Sequence, residues 1–297
     1  MIILSNKNEN NTIGENAASS QNAFRIVMRR LLKDKTALTG LAVFAVICLA
    51  CVFAPVLTKW DYKEINVRRL LENPSVEHIL GTDNLGRDVY SRLLYGGRIT
   101  LRITLISTVL AAAAGCIIGL VAGYSGGRVD ILISSVLDTL TAIPMILLAI
   151  VFEIVFGWGE GNFMYAIAVA ALPQFAHLVR ACVMNIVKCE YIEAARALGV
   201  SRFSIMVRHV LHNIMSPLVI RFASGLADAL LSCTIMGYLS IGMKPPIPEW
   251  GVLVFNAKSF LWKQPLLMVF PCAVIAITVI SVSIFSDGLR DALDPRE

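Results

Sequence analysis

Six long apolar runs divide the chain, separated by shorter polar stretches. They lie at about 38–57, 99–124, 131–156, 163–183, 214–241 and 266–285. Each run reaches the ~20 residues that an α-helix needs to cross a bilayer. Because lipid offers no hydrogen-bond partner to the backbone, such runs are expected to be helical. The pattern therefore predicts an all-α membrane protein with six transmembrane helices.

The composition agrees with this prediction. Hydrophobic residues make up 57% of the chain, charged residues 16%, and the mean hydropathy is +0.71. Soluble domains carry about a quarter charged residues, so a soluble protein is excluded. The net charge of +5 is interpreted as an orientation signal within the bilayer. No basic-aromatic cluster suggests nucleic acid as a partner.

Basic residues precede the first run and predict its orientation. They are Arg25, Arg29, Arg30, Lys33 and Lys35. Such a cluster is expected to stay in the cytoplasm, and six crossings then return the C-terminus to the same side. The segment 190–213 would also be cytoplasmic, and 59–98 would be outside. Residues 1–24 are rich in Asn, Ser and Glu, lack the apolar core of a signal peptide, and are predicted to be a disordered tail.

The seven cysteines do not predict a metal or redox site. Cys48 and Cys51 have the spacing of a redox motif, but both lie inside the first apolar run and no second pair follows. Thiols in apolar surroundings are commonplace in packed helices. We therefore expect no metal ligands in this chain.

The segment 190–213 is helical in pattern yet strongly charged, with apolar runs on both sides. It reads EYIEAARALGVSRFSIMVRHVLHN. Ala194 and Ala195 favour a helix and permit close approach to a partner. Gly199 is a natural left-handed stop, and Ser201 can cap a second helix beginning near Arg202. Two short helices joined by a tight bend are predicted, with polar contacts available from Glu190, Glu193, Arg196, Arg202 and Arg208. The alternative is an ordinary charged loop.

A glycine-rich motif lies between the first two runs, at 78–98. It reads HILGTDNLGRDVYSRLLYGGR. Its glycines permit tight turns, and Asp88 and Arg92 are spaced for an i,i+4 ion pair. The members that carry the motif are Gly81, Thr82, Asp83, Gly86, Arg87 and Asp88. A structural role that fixes this loop is favoured over contact with a substrate.

Small residues recur at helical spacing in the second run. Gly115, Gly119 and Gly123 lie four residues apart and follow the run Ala111–Ala114. This spacing lets two helix backbones approach closely within a membrane. Helix packing is the preferred interpretation, and the neighbour can belong to this chain or to a partner.

Ionisable residues inside the apolar runs need protein or water around them. Asp138 is expected to face one of the two. Glu153 either lies near the outer surface beside Trp158 and Glu160, which is favoured, or faces a transport pathway. Whether Asp228 or Ser232 lines a pathway is open. Further on, three prolines at 245–248 cannot continue a helix and predict a rigid re-entrant or outer loop.

Several of these motifs resemble one family. Glu193-Ala194-Ala195 followed by Gly199 is similar to the EAA loop of bacterial ABC importer permeases. The stretch 81–98 resembles the more specific GTDxLGRDxxSRxxYGxR signature of the second permease in dipeptide, oligopeptide and nickel importers. The runs 237–251 and 287–295 are similar to further family motifs, so the resemblance extends over about 25–296. It implies the type I ABC importer permease fold.

The resemblance also implies a function. The chain would be the transmembrane subunit of an ABC importer for peptides or a nickel or other metal chelate. It would comprise a tail at 1–24, an N-terminal permease segment at 25–98 and a core permease domain at 99–297. The residues implied to couple to the ATPase are Glu190, Glu193, Ala194, Ala195, Arg196, Gly199, Ser201 and Arg202.

The implied partners are a second homologous permease, two ABC ATPase subunits, an extracytoplasmic solute-binding protein and the lipid bilayer. The chain has no Gly-x-x-x-x-Gly-Lys-Ser/Thr loop, so it is not expected to be an enzyme or to bind a cofactor. ATP and Mg²⁺ would be held by the ATPases. The expected location is the bacterial inner or plasma membrane, as a multi-pass protein with both termini cytoplasmic.

The alternative from another class is an ion-coupled secondary transporter. That class predicts internal repeats with paired interrupted helices at the midplane, and no such repeat is visible. The family pattern also has departures here: His212 replaces a proline, and Ser232 replaces an acidic residue. The substrate stays open among dipeptides, oligopeptides, nickel chelates, glutathione and opines.

Overall fold

The computed structural model describes residues 27–157 and 159–293. The predicted tail at 1–24, Trp158 and the last four residues lie outside the described residues. Long helices dominate, and in the described part of the chain the only extended pairing is one isolated bridge between Thr82 and Asp88. The all-α prediction is confirmed.

Twelve α-helices are labelled α1–α12 in chain order within the segment 35–293. They are α1 Lys35–Val52, α2 Ala54–Leu57, α3 Val89–Ser125, α4 Gly127–Thr141, α5 Met145–Phe156, α6 Glu160–Ile186, α7 Glu190–Ala197, α8 Arg202–Ser204, α9 Leu211–Asn213, α10 Met215–Tyr238, α11 Trp250–Ala257 and α12 Leu266–Leu293. A π-helix, Ile205–Val210, joins α8 to α9, and a 3-10 turn, Lys258–Phe260, follows α11.

Within residues 27–157 and 159–293, five helices are long and apolar enough to cross a membrane: α1, α3, α6, α10 and α12. The third predicted span is broken into α4 and α5, which meet at 97°. The expectation of one continuous helix over 131–156 is therefore wrong. Pro144 precedes α5 with a ψ of 133°, and its ring also disfavours a helical conformation at Ile143. If the bent pair counts as one span, the predicted six crossings are present.

The central packing unit is the pair formed by α3 and α6. Gly115, Gly119 and Gly123 are all buried on the face of α3 that meets α6. A Cβ added at Gly119 would lie 2.6 Å from the carbonyl oxygen of Ala176. The glycine stripe therefore packs two helices of this chain together, which answers the question that the sequence left open.

The first and last spans pack against each other in the same way. A Cβ added at Gly40 of α1 would lie 2.8 Å from the carbonyl oxygen of Ser281 in α12. Asp34 caps the start of α1 by accepting hydrogen bonds from the backbone N–H groups of Thr36 and Ala37. The packing of Gly40 on Ser281 holds the N-terminal span against α12, and no local pattern in the sequence indicates it.

Candidate coupling segment and polar clusters

The segment 190–213 has the predicted bend. Helix α7 ends before Gly199, whose φ of +80° is left-handed. The backbone N–H of Val200 donates to the carbonyl of Ala195 at 3.1 Å, which closes the turn. Ser201 caps the next helix by accepting a hydrogen bond from the N–H of Ser204 at 3.3 Å. The prediction of two short helices around Gly199 is confirmed.

An apolar face fixes this segment to the bundle. Ile192, Ile205 and Val210 are buried and pack against Val179 and Val183 at the end of α6. Burying branched side chains in this way removes apolar surface from water and holds both short helices to α3 and α6. Movement of the segment is thus mechanically connected to two long spans.

The opposite face is open and combines charge with large apolar side chains. Leu198 is 84% exposed and Phe203 is 76% exposed, on either side of the Gly199 bend. Exposed large apolar side chains beside polar residues are typical of a protein interface. Of the predicted coupling residues, Ala195 is half-buried, and the exposed ones are Glu190, Glu193, Ala194, Arg196, Gly199, Ser201 and Arg202.

Two further contacts shape this surface. The guanidinium of Arg196 lies 5.3 Å from the ring centre of Tyr124, at the end of α3. After the π-helix, Asn213 donates to the carbonyl of His209 at 2.8 Å and to the Tyr191 hydroxyl at 3.0 Å. These bonds connect the C-terminal end of 190–213 to its first helix, next to the exposed His212.

The glycine-rich motif at 78–98 forms a buried polar cluster. Asp83 pairs with Arg87 at 2.7 Å and with Arg92 at 3.4 Å. Asp88 caps α3 through the N–H of Ser91 at 2.7 Å and contacts His78 Nδ1 at 2.9 Å. The predicted Asp88–Arg92 pair is therefore wrong: the cap turns the Asp88 carboxylate toward the helix start, and Arg92 reaches Asp83 instead.

The same motif holds the preceding segment, between α2 and the motif, in place. The Thr82 hydroxyl donates to the carbonyl of Arg69 at 2.5 Å and accepts from the N–H of Glu72 at 2.9 Å. Gly81 and Gly86 have φ values of +78° and +72°. A Cβ on Gly86 would collide with the backbone of Asn66. These buried contacts support the structural role predicted for the motif.

The buried Glu249 side chain accepts several hydrogen bonds, a role that the sequence did not indicate. It is fully buried, precedes α11 and accepts hydrogen bonds from the Thr100 hydroxyl at 3.1 Å and the N–H of Val252 at 3.0 Å. Trp250 donates its indole N–H to the carbonyl of Leu93 at 2.9 Å. These bonds attach the proline-rich loop and α11 to α3. Thr100 and Leu93 lie 149 and 157 positions from their partners in the sequence, so no local pattern indicates these bonds.

Burial raises the pKa of Glu249 to about 7 from 4.5, and the hydrogen bonds it accepts oppose the shift. Between these two pKa values the folded state keeps a proton that the unfolded state has released. The contribution of Glu249 to the free energy of unfolding should therefore fall as pH rises from about 4.5 through 7. A shift of this size corresponds to about 3 kcal/mol. We expect Glu249→Gln to remove that part of the pH dependence. Thermal unfolding in detergent at several pH values measures it, and an unchanged slope would contradict the assignment.

Charged residues inside the spans form two kinds of contact. Arg180 of α6 makes a bidentate ion pair with Asp130 of α4, at 2.5 and 2.7 Å. The other kind lies on an open face: Asp138 is 3.5 Å from His177, and Asp228 is 3.1 Å from Arg221. The sequence indicated the acids but not their basic partners, because each pair joins residues far apart or on different turns.

Glu153 does not lie at the surface. Its side chain is only 2% exposed, and both carboxylate oxygens lack a hydrogen-bond partner among the described residues. The favoured prediction of a surface side chain beside Trp158 and Glu160 is therefore wrong in its exposure, because Glu153 lies one turn after Ala149, which packs into the core with Phe163 and Ile167 of α6. Ser232 is also buried and donates to the carbonyl of Asp228 at 2.8 Å. It does not line an open surface of this chain.

The fold and sequence are similar to known importer subunits. The solved structure titled "Inward facing conformations of the MetNI methionine ABC transporter" matches with a TM-score of 0.56 at 18% identity, over 68% of this chain and 96% of that one. At this identity the likeness shows the fold alone. The family described as the N-terminal transmembrane domain of oligopeptide transport permease C matches residues 22–74.

Two curated relatives are similar over nearly their whole length. The dipeptide transport system permease protein DppC of Alkalihalophilus pseudofirmus is 36% identical over 95% of this chain and 93% of its own. The glutathione transport system permease protein GsiD of Pectobacterium atrosepticum is 36% identical over 94% of this chain and 93% of its own. The family described as binding-protein-dependent transport system inner membrane component matches residues 115–297. The chain therefore belongs to this family of ABC importer permeases, with the type I fold seen in its structural neighbours.

Proposed function

We propose that this chain is the permease subunit of an ABC importer that carries short peptides across the bacterial inner membrane. The observation that carries the proposal is the surface of 190–213, open on one face and packed into α3 and α6 on the other. A segment of this kind can transmit movement from a bound partner to the spans. The names of the relatives favour peptides over nickel or another metal chelate.

We infer that the partner at this surface is an ABC ATPase. Leu198 and Phe203 are exposed on either side of the Gly199 bend, where they would enter an apolar groove of the partner, while Glu193 and Arg196 would meet polar groups at its rim. Burial of two large side chains contributes about 1.5–3 kcal/mol each. ATP and Mg²⁺ would bind to two such subunits, and closure of the pair would move α3 and α6. A second permease and a solute-binding protein complete the assembly.

The docking surface is tested by Phe203→Asp. A charge in the centre of a desolvated interface should abolish co-purification of the ATPase subunits, because an unpaired carboxylate is costly to bury. Trp262→Asp is the matched control: Trp262 is also highly exposed but lies in the loop before α12, at the other end of the molecule. It should leave ATPase association unchanged. Equal ATPase recovery with both variants would contradict this surface.

The orientation follows from the basic residues before α1. We expect both termini and 190–213 to be cytoplasmic, with 59–98 outside. The measurement is thiol labelling of Ser201→Cys in a background without the seven native cysteines. A membrane-impermeant reagent should label it in inside-out vesicles and leave it unlabelled in intact cells. Labelling in intact cells would show that 190–213 lies outside and would contradict the predicted orientation.

A further inference from the structure

We propose that a polar strip on α6 and α10 binds the termini of a zwitterionic peptide during its passage. The strip contains Gln174, His177, Arg221 and Asp228, with Asp138 beside it. In this arrangement Asp228 receives the peptide ammonium group and Arg221 receives the peptide carboxylate. The inference rests on the proposed peptide-import function and deepens it by naming the charges that recognise the cargo.

The strip lies well inside the membrane-spanning region. Arg221 and Asp228 follow the start of α10 at Met215 by a rise of about 9 and 20 Å. Gln174 lies near the middle of α6, which runs from Glu160 to Ile186. Polar groups at such depth are costly unless they face protein, water or a ligand, so they mark transport pathways by default.

The contacts bring both helices into one strip. Arg221 Nη2 contacts Gln174 Oε1 and lies 3.1 Å from Asp228 Oδ2. The Arg221 guanidinium also lies 5.4 Å from the ring centre of Phe175. His177 is one turn from Gln174 on the same face of α6, and its Nε2 lies 3.5 Å from Asp138 Oδ1. Acidic and basic groups therefore alternate along one surface.

This surface is open, unlike the other intramembrane ion pair. The Asp228 side chain is 46% exposed and the Asp138 side chain 69% exposed, whereas that of Asp130 is 12% exposed in its bidentate pair with Arg180. Asp228 pairs through Oδ2 alone, and among the described residues its Oδ1 accepts no hydrogen bond. An incompletely paired carboxylate on an open intramembrane face has capacity for a second cation.

The presence of both signs decides the class of ligand. A peptide with free termini carries one ammonium and one carboxylate group, each of which forms strong charge-assisted hydrogen bonds. Arg221 is suited to a carboxylate because its planar guanidinium can bind both oxygens. A lipid-facing surface would carry neither sign, and an anionic chelate would not require the acidic residues. The strip thus matches the two ends of a peptide.

The test uses the full transporter in proteoliposomes, with the second permease, both ATPases and the binding protein. The cargo is a radiolabelled dipeptide with free termini, and the readout is peptide imported per ATP hydrolysed. Arg221→Gln and Asp228→Asn should each lower this ratio about tenfold, and the double variant should stay at least as low. The control variant Arg102→Gln/Glu160→Gln removes an exposed ion pair between α3 and the first residue of α6 and should match the wild type.

The double variant Arg221→Gln/Asp228→Asn distinguishes recognition of the peptide from a purely structural role of the two residues. If Arg221 and Asp228 only stabilise each other, removing both should restore import, because no charge within the membrane-spanning region is left unpaired. Restored import, unaffected single variants, or failure of the double variant to assemble would each overturn the inference. Should one single variant not assemble, the import ratio of the assembled double variant decides. Wild-type import in the same vesicles tests the proposed function separately, since its absence would refute peptide import itself.

Discussion

Replacing Gly199 by valine is expected to reduce transport by about tenfold or more while leaving the permease inserted and folded. Gly199 adopts a φ of +80°. A β-branched residue in this region costs on the order of 1–3 kcal/mol. An added Cβ would meet no atom within 4 Å, so the effect comes from the backbone and not from a clash.

The valine variant should relieve its strain by changing the angle between α7 and the helix that follows. Leu198 and Phe203 would then no longer face the same partner surface, although Ile192 and Ile205 could still pack against α6. Because the buried face is retained, we expect normal membrane yield and normal pairing with the second permease. ATPase co-purification and uptake from the same membranes are the two measurements.

Gly199→Asn is the matched control for this experiment. Asparagine tolerates the left-handed conformation better than other residues with a side chain, so most of the transport should be kept. Wild-type ATPase recovery and uptake in Gly199→Val would show that this bend is not the coupling element. Equal loss in the asparagine and valine variants would instead show that any side chain at this position disturbs docking.

Local signals explain why the segment 190–213 was predictable from sequence. A helix stop, a cap and the change of apolar spacing depend on neighbours within a few residues, and these are visible in the chain. Gly199 and Ser201 occupy the predicted conformations for this reason. Its role in coupling to an ATPase remains a prediction, because it depends on a surface of another protein.

Long-range pairing explains most of what sequence reasoning missed. Thr100 and Glu249 are 149 positions apart, and Asp130 and Arg180 are 50 apart. Which of several acids meets a given base depends on how the spans pack, so spacing alone favoured an incorrect partner for Arg92. The break at Pro144 was missed for a different reason: its apolar flanks are continuous, and hydropathy does not report helix direction.

Gly119→Leu is expected to have the largest effect on folding, with the yield of assembled permease falling by about tenfold or more. A Cβ at this position would lie 2.6 Å from the Ala176 carbonyl oxygen and 2.7 Å from Val179 Cβ. One of these atoms belongs to the backbone of α6, so a rotamer change alone cannot make room. Overpacking costs about 1–3 kcal/mol even where side chains can adjust, and separating α3 from α6 would cost more.

Close packing is a main force between helices in lipid, where no hydrophobic gain replaces it. The α3–α6 pair also anchors the apolar face of 190–213, so its separation should remove coupling together with the fold. Gly161→Leu is the matched control, because Gly161 lies in the first turn of α6 and an added Cβ meets nothing within 4 Å. Size-exclusion chromatography in detergent, with the unfolding temperature of the recovered protein, compares the two variants. A normal yield and unfolding temperature for Gly119→Leu would mean that α3 and α6 do not approach this closely at Gly119, and the glycine stripe would then have no packing role.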